Sequence, residues 1–333
     1  MTEPTAPSVV VVGSIAFDSV ETPKGRREKL QGGSASYSAI ASALFAPTGL
    51  VGVVGDDFPD AYTAAYARAG IDLAGLVRAP GLTFHWDGTY SADMNSRRTN
   101  RTDLNVFAGF SPDLPDAYRA APVLCLGNIA PSLQLRVLSQ MTARPFVMLD
   151  TMELWISTER TDLMDAISRS DLLTVNEHEA RALTGKTSLL EAARDILRLG
   201  PAWALVKKGE HGAFLMGRDG TDPVLVPAWP LEDVTDPPGA GDTFAGALAG
   251  SLAAAPAIDR DAFKQALLRA TVASAATCSA FGLEALASLT RADLDEYLAA
   301  AEAMGDGATG RAVMDACRRW MVSRIPDFGN IAI

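Results

Sequence analysis

Short apolar runs recur along the chain, each closed by glycine, a polar residue or an acid, and helical stretches separate them. Val9–Val12 is β-branched throughout and ends at Gly13, which predicts a central parallel strand buried on both faces. Leu50–Val54, Pro122–Leu126, Pro145–Asp150, Asp171–Val175, Ala202–Val206 and Phe214–Met216 read as further strands. Helices are expected from Gly33 to about Phe45, over Ala61–Ala69 with Gly70 closing it, over Pro131–Met141, and from Asn176. Two more follow late in the chain, the Ala-rich Asp259–Ala280 and Thr290–Met304, the latter with Thr290 as N-cap and Asp293 as its N3 acid. Strands alternating with helices throughout predict one doubly wound α/β domain over residues 1–305, with a mostly parallel sheet.

Two stretches break this rhythm. Residues 19–31 are polar, and 82–98 alternate and are rich in Thr, Trp and Tyr, with Asp87-Gly88 as a hairpin-turn signal. Together they predict a small β-sheet lid. The run Arg97, Arg98 and Arg101 follows it; it reads either as a solvated loop or as a holder of an anionic acceptor or transferring phosphate. Gly305–Gly310 reads as a linker and 306–333 as a tail with a short amphipathic helix that packs on the domain or a second subunit.

Composition narrows the partners. A net charge of -11 excludes nucleic acid as a main partner, because binding it needs a basic surface. Small anions such as ATP need only local positive groups and stay open. The hydrophobic content of 48% is ample for a full core, yet no apolar run reaches membrane-spanning length. Cys125, Cys278 and Cys317 form no metal or disulfide pattern, which fits a reducing cytoplasm, and the polar, Pro-containing start is not a signal peptide. The scattered His85, His178 and His211 offer no metal triad.

The chemistry concentrates in Asp236-Pro237-Pro238-Gly239-Ala240-Gly241-Asp242, which runs into the small-residue helix starting at Thr243. The prolines keep the helix from starting before them. Gly239 and Gly241 let backbone amides approach a ligand, and the helix start presents unpaired donors and positive dipole potential, a site for phosphate. An acid at the rim of such a site repels phosphate but suits a general base that takes a proton from an attacking hydroxyl. Asp242 is that candidate; the same letters also describe an ordinary Gly-rich turn with an acid in the first helical turn. A Walker A loop would need Gly-Lys-Ser/Thr, and a dinucleotide fingerprint would need G-x-G-x-x-G after an early strand; neither is here.

Other points line up with it. Asp18 lies just past the first strand, where ligands of open α/β sheets sit. Gly32-Gly33 brings backbone close ahead of a helix, and Tyr37 follows. Asn176 and Glu179 make a capping box at the start of a helix. Lys207 and the turn Gly209–Gly212 follow another strand.

This ordered set, Gly13…Asp18, Gly32-Gly33, Gly52…Gly55, Asn176…Glu179, Gly209…Gly212 and Asp236…Asp242, resembles the ribokinase-like (PfkB) carbohydrate and nucleoside kinases over residues 8–303. The resemblance implies a phosphotransferase. ATP would be bound by Asn176, Glu179, Lys207, Gly209 and Gly212, and Mg²⁺ held by Glu179 through water. A sugar or nucleoside hydroxyl would be bound by Asp18, Gly32, Gly33 and Tyr37. Catalysis would rest on Asp242 with the amides of Gly239, Ala240 and Gly241, and a monovalent cation such as K⁺ would sit near Asp236. It also implies a homodimer through the lid. Relatives often carry Asn at the position of Tyr37, so the departure bears on the substrate rather than the reaction. Asp150, where many relatives have Asp-x-Asn, is given no catalytic role. A catalytically silent ligand-binding relative is the alternative of a different class, and the intact Gly-Ala-Gly-Asp speaks against it.

Overall fold

The four valines of Val9–Val12 do form the central strand, β1, fully buried on both faces, in the computed structural model of the chain, which describes residues 6–92, 94 and 96–305. In chain order the remaining strands are β2 (Ala16–Thr22), β3 (Gly25–Gly32), β4 (Thr48–Val54), β5 (Asp72–Arg78), β6 (Phe84–Tyr90), β7 (Arg97–Asp103), β8 (Val123–Leu126), β9 (Phe146–Asp150), β10 (Leu172–Asn176), β11 (Trp203–Lys207), β12 (Ala213–Gly217) and β13 (Val224–Val226). The helices are α1 (Ser34–Ala43), α2 (Asp60–Arg68), α3 (Pro131–Leu138), α4 (Glu153–Thr158), α5 (Arg160–Ser168), α6 (Glu177–Thr184), α7 (Leu189–Arg198), α8 (Ala240–Ala253), α9 (Arg260–Cys278), α10 (Glu284–Ser288) and α11 (Arg291–Gly305). The tail helix expected beyond Gly310 lies outside the described residues.

Nine strands form one sheet in the order β13-β12-β11-β10-β9-β8-β1-β4-β5. From β5 to β11 every pair is parallel, and β12 and β13 close the edge antiparallel. The side-chain period of two splits β1 between the faces. Val9 and Val11 join a core with residues of α1, α8 and α9, whereas Val10 and Val12 join one with residues of α3, α5, α6 and α7. The chain leaves β1 toward β4 on one side and returns to β8 on the other, so β1 and β8 flank the switch point where such sheets open a crevice at their carboxyl ends.

On one face α1 and α8 cross with almost no side chain between them. A Cβ on Gly246 would collide with the backbone of Ser38, and one on Gly250 with that of Ser42. The Ser38 hydroxyl donates to the Asp242 carbonyl at 2.8 Å, which ties the start of α8 to α1.

The second sheet has the order β3-β2-β6-β7 and is the lid; β2 pairs antiparallel with β3 and parallel with β6, and β6 pairs antiparallel with β7. Two expectations fail here. Asp87-Gly88 is not the hairpin turn: both residues lie inside β6 at a register shift, and the chain reverses between Ser91 and Ser96, where backbone and hydroxyl bonds close the turn. Gly88 is there because the Trp86 ring lies where its Cβ would be. The arginine run is not a loop either; Arg97, Arg98 and Arg101 stand on β7, which extends the lid to Asp103.

The close crossing gives a stability test. Gly246→Ala should destabilise by about 1–3 kcal/mol, because the added methyl forces α1 and α8 apart. Gly109→Ala, with nothing within 4 Å of its Cβ position, should stay within about 0.5 kcal/mol of the parent. Urea unfolding of the two variants checks the contrast; equal effects would mean the helices have room to spare.

Candidate active site

Four strand ends and one helix start converge at the carboxyl edge of the large sheet. β1 leads through Ser14 and Ile15 to Asp18, β9 ends in Asp150, β10 in Asn176 and β11 in Lys207, while α8 begins over β1 and β8. Gly239 adopts φ 76° to turn the chain into α8, a left-handed conformation that favours glycine. A Cβ there would strike the Tyr37 ring, which lies directly beneath. Asp242 is then the third residue of the helix, beside first-turn amides that have no intrahelical acceptor.

The cluster is acidic and largely shielded from water. Burial, then the charge of Asp150, push the Asp242 carboxyl up to about 7, against the pull of Lys207 and Arg97. Asp18, 8% exposed, is raised to about 7 by burial and the charges of Asp236 and Asp242, although it accepts the Gly33 N–H. Asp236 is raised to about 6 by burial; one of its oxygens takes the Gly282 N–H at 2.7 Å and the other is buried without a partner. Lys207 balances part of this charge. Its Nζ pairs with Asp150 Oδ2 at 3.0 Å and lies 3.3 Å from the Cβ position of Gly241. Burial works against its charge, but Asp150, Glu179 and Asp242 hold it protonated.

Asn176 and Glu179 form the expected capping box, with Asn176 N–H donating to Glu179 Oε2 at 2.7 Å and Glu179 N–H to Asn176 Oδ1 at 2.9 Å. The carboxylate is thereby aimed at the strand ends. Burial and Asp150 raise Glu179 to about 7, a strain that a cation would relieve. Among the described residues no cluster of His, Cys, Asp or Glu side chains is arranged to hold a metal ion by protein ligands alone.

The structure brings Asp18, Gly32, Gly33, Glu179, Lys207, Asp236, Gly239, Gly241 and Asp242 to one place. Gly32 and Gly33 are required there, because a Cβ on the first would collide with the Asp18 carboxylate and one on the second would come within 2.5 Å of the Ser14 carbonyl. Three of the expected residues stand in more enclosed settings. Tyr37 is 1% exposed with its ring under Gly239, so it shapes the turn from below, and its unpartnered hydroxyl faces Asp18, Asp236 and Asp242. The Ala240 amide donates to the Pro237 carbonyl at 3.2 Å and is thus engaged within the turn. Gly212, at φ 81°, stands against the backbone of Val226–Ala228, so it shapes its turn, while Gly209 borders open space. Sequence reasoning gave Asp150 no role and left Arg97 open between a solvated loop and a holder of an anion. Asp150 is the partner of Lys207, and its position at a strand's carboxyl end was the available signal. Arg97 stands on the lid strand β7 as an exposed residue, and the negative groups around it favour its charged form. Arg97 also lies over the Trp86 ring, 5.8 Å from its centroid.

Comparison with known proteins bears on the chain as a whole. Residues 6–291 match the profile described as "pfkB family carbohydrate kinase". The cytidine kinase of Thermococcus kodakarensis is 30% identical over 242 residues, covering 72% of this chain and 86% of that protein. Ribokinase of Bacillus subtilis is 34% identical over 134 residues, 40% of this chain and 41% of its own length. Among solved structures, Arabidopsis thaliana ribokinase complexed with ribose and ATP superposes with a TM-score of 0.70 at 23% identity, covering 87% of this chain and 98% of that one. The nucleoside kinase of Burkholderia thailandensis in complex with inosine gives 0.68 at 21% identity, covering 86% and 96%. These two likenesses are of fold.

The raised carboxyls make the ligand-free protein sensitive to pH. Asp18 and Asp242, raised to about 7, and Asp236, raised to about 6, keep protons in the folded chain that the unfolded chain has released. The folded state therefore binds more protons between the ordinary carboxylate range, about pH 4, and about pH 7, and stability falls as pH rises through that window. Thermal unfolding should give a lower Tm at about pH 8 than at about pH 5.5, and Asp242→Asn should raise Tm at the higher pH and flatten the profile. Matching profiles for parent and variant would show that Asp242 is not held protonated by its surroundings.

Proposed function

We propose that this chain, which belongs to the pfkB family of carbohydrate kinases, transfers the γ-phosphoryl group of ATP to a primary hydroxyl of a sugar or nucleoside, with Asp242 as the general base. The observation that carries the reading is the position of Asp242, a carboxyl raised to about 7 in the first turn of α8, between that turn's amides and the Lys207 ammonium. A base poised near neutral pH beside anion-binding amides suits deprotonation of an alcohol attacking a phosphoryl group.

In this reading Asp18 and the Gly32-Gly33 backbone hold the acceptor, and Asp242 takes the proton of its hydroxyl as the new P–O bond forms. The first-turn amides with Lys207 receive charge on the phosphoryl oxygens. Mg²⁺ bound with the nucleotide would neutralise phosphate charge. Glu179, anchored by Asn176 and strained by Asp150, would face it through water, because Mg²⁺ keeps several waters and takes few protein ligands. The unpartnered, buried oxygen of Asp236 fits a monovalent cation such as K⁺. The lid over the site would exclude water from ATP.

One observation favours a nucleoside over a free sugar. Trp86 pairs with Asp18 across the parallel strands β2 and β6, so the two side chains project from the same face of the lid, and the indole lies flat over Gly88. That puts an aromatic ring, with the Arg97 guanidinium 5.8 Å from its centroid, on the same face as the acceptor residue, where it suits a planar base better than a small sugar. The cytidine kinase relative is consistent with it.

ADP release from ATP·Mg²⁺ against a panel of sugars and nucleosides tests the reading. Turnover is expected with a nucleoside, and Asp242→Asn should lower kcat by about 10²–10⁴ while ATP still binds. Near-normal turnover of the variant would remove Asp242 from the base role. Tight acceptor binding by the parent without turnover would favour a silent ligand-binding relative.

A further inference from the structure

We propose that Gln134 is a positioning residue for phosphoryl transfer, which sets Asp150 and through it the Lys207 ammonium; this rests on the kinase reading above. Gln134 stands in the first turn of α3 and is 1% exposed. The pairing of β8 with β9 runs to Leu126 and Leu149, and just past that last pair lie Gly127 and Asp150. The Gln134 Nε2 donates to both, at 3.0 Å to the Gly127 carbonyl and 2.9 Å to the Asp150 carbonyl. A primary amide suits this place, because one nitrogen carries two N–H donors. Its Oε1 is buried without a partner among the described residues, so the two carbonyls alone orient the group. Turning the amide over would set oxygen against oxygen twice.

Asp150 is where this staple meets the chemistry. Its carbonyl is held by Gln134, its Oδ1 accepts the Thr151 N–H at 2.8 Å, and its Oδ2 accepts from Lys207 Nζ at 3.0 Å. Asn128, the residue after Gly127, braces the segment that follows: its Oδ1 accepts the Trp155 Nε1–H at 2.8 Å and its Nδ2 meets the Met152 sulfur at 3.1 Å. The end of β8 thus clasps the chain at Asp150 and again at Met152 and Trp155. Lys207 comes from β11, and β10 lies between β11 and β9. Its stem therefore crosses the end of β10 to reach Asp150, and the ammonium comes to stand 3.3 Å from the Cβ position of Gly241, at the start of α8. A lysine stem is flexible, so the ammonium keeps that place only while a fixed carboxylate holds it there.

In the transfer step the γ-phosphorus exchanges its bond to the bridging oxygen for one to the acceptor oxygen. Asp242 takes the acceptor proton, and ADP leaves with the bridging electron pair. Lys207 and the first-turn amides of α8 receive the charge on the moving group. Gln134 touches none of these atoms. It fixes the carboxylate that fixes the ammonium, and a displacement of about 1 Å at such a group costs about 10²-fold in rate.

The test compares the parent with Gln134→Met, Gln134→Glu and Ile196→Val in the full chain. Gln134→Met keeps the volume and removes both donors; it should lower kcat by about 10- to 10²-fold, with acceptor KM changed at most about twofold. Ile196→Val, in the buried face of α7, controls for lost stability: it should lower Tm and leave kcat at the parent's value. Gln134→Glu offers a donor only when its carboxyl is protonated, so its kcat relative to the parent should rise as pH falls from about 8 to about 6, while the ratio for Gln134→Met stays level. Reductive methylation of Lys207 in the ligand-free chain, followed by peptide mass mapping, reads the ammonium without turnover. It should run several fold faster in Gln134→Met, because an ammonium released from Asp150 gives up its proton more readily. Parent-like kcat in Gln134→Met would overturn the proposal, and so would a loss that Ile196→Val matches. A loss of kcat with unchanged methylation would overturn the route through Lys207. If the parent phosphorylates nothing in the panel, the kinase reading fails, and the methylation comparison still decides whether Gln134 sets Lys207.

Discussion

Carboxylates crowded out of water are the constraint around which this structure is arranged. Asp18, Asp150, Asp236, Asp242 and Glu179 meet at one edge of the sheet, and four of them are raised well above the ordinary carboxylate range. Left alone, such a cluster would protonate or push itself apart. It is held by fixed positive groups. Lys207 is pinned to Asp150, the Gly282 N–H binds Asp236, the Gly33 N–H binds Asp18, and the start of α8 adds its dipole. The balance falls short of neutral. The deficit is what makes the site receptive to cations and to hydroxyl groups that bring donors, and it gives Asp242 a proton affinity matched to neutral pH.

Holding that charge in place requires a rigid frame, and the frame comes from small residues. The parallel strands direct their carboxyl ends to one edge, as the crossover topology demands, but α8 must also be seated so that its first turn lies over β1 and β8. Gly246 and Gly250 allow α8 to touch α1 backbone to backbone, and Ser38 fastens the Asp242 carbonyl. Tyr37, one position earlier on α1, fills the hollow under Gly239. The chain thus exchanges side-chain volume at the helix crossing for positional accuracy at the acid. A single added methyl at Gly246 moves the same residue that carries the chemistry.

Much of this was legible in the letters. The both-faces-buried strands announced themselves as unbroken apolar runs, and the Pro-Pro-Gly-Ala-Gly-Asp turn carried its own reason for starting a helix at an anion site. Asn176 and Glu179 were readable because a capping box is a local device. What stayed hidden depends on contacts between distant segments. β5, with Asp72, Gly75 and Arg78 in its span, is polar enough to pass for a loop, and the three-residue β13 is too short to show a period. α4, α5 and α7 went unassigned. Asp87-Gly88 looked like a turn because the pair is a strong hairpin signal; the glycine instead answers to the indole two residues earlier, a neighbour that only the strand geometry puts over it. Asp150 and Arg97 acquire meaning only from Lys207 and from the acids across the site.

β2 joins the two halves of the molecule. It leaves β1 within a few residues and at once becomes an inner strand of the lid, pairing with β3 and β6. Asp18 therefore belongs to both parts: it is anchored near the central strand, yet it shares a face with Trp86 in the lid. Residues that would choose the acceptor, Trp86 and Tyr90, lie farther out on the lid sheet, whereas the groups that would handle phosphate, Lys207 and the start of α8, stand on the large sheet and its helix. Such a division lets the lid surface vary without disturbing the charge balance beneath.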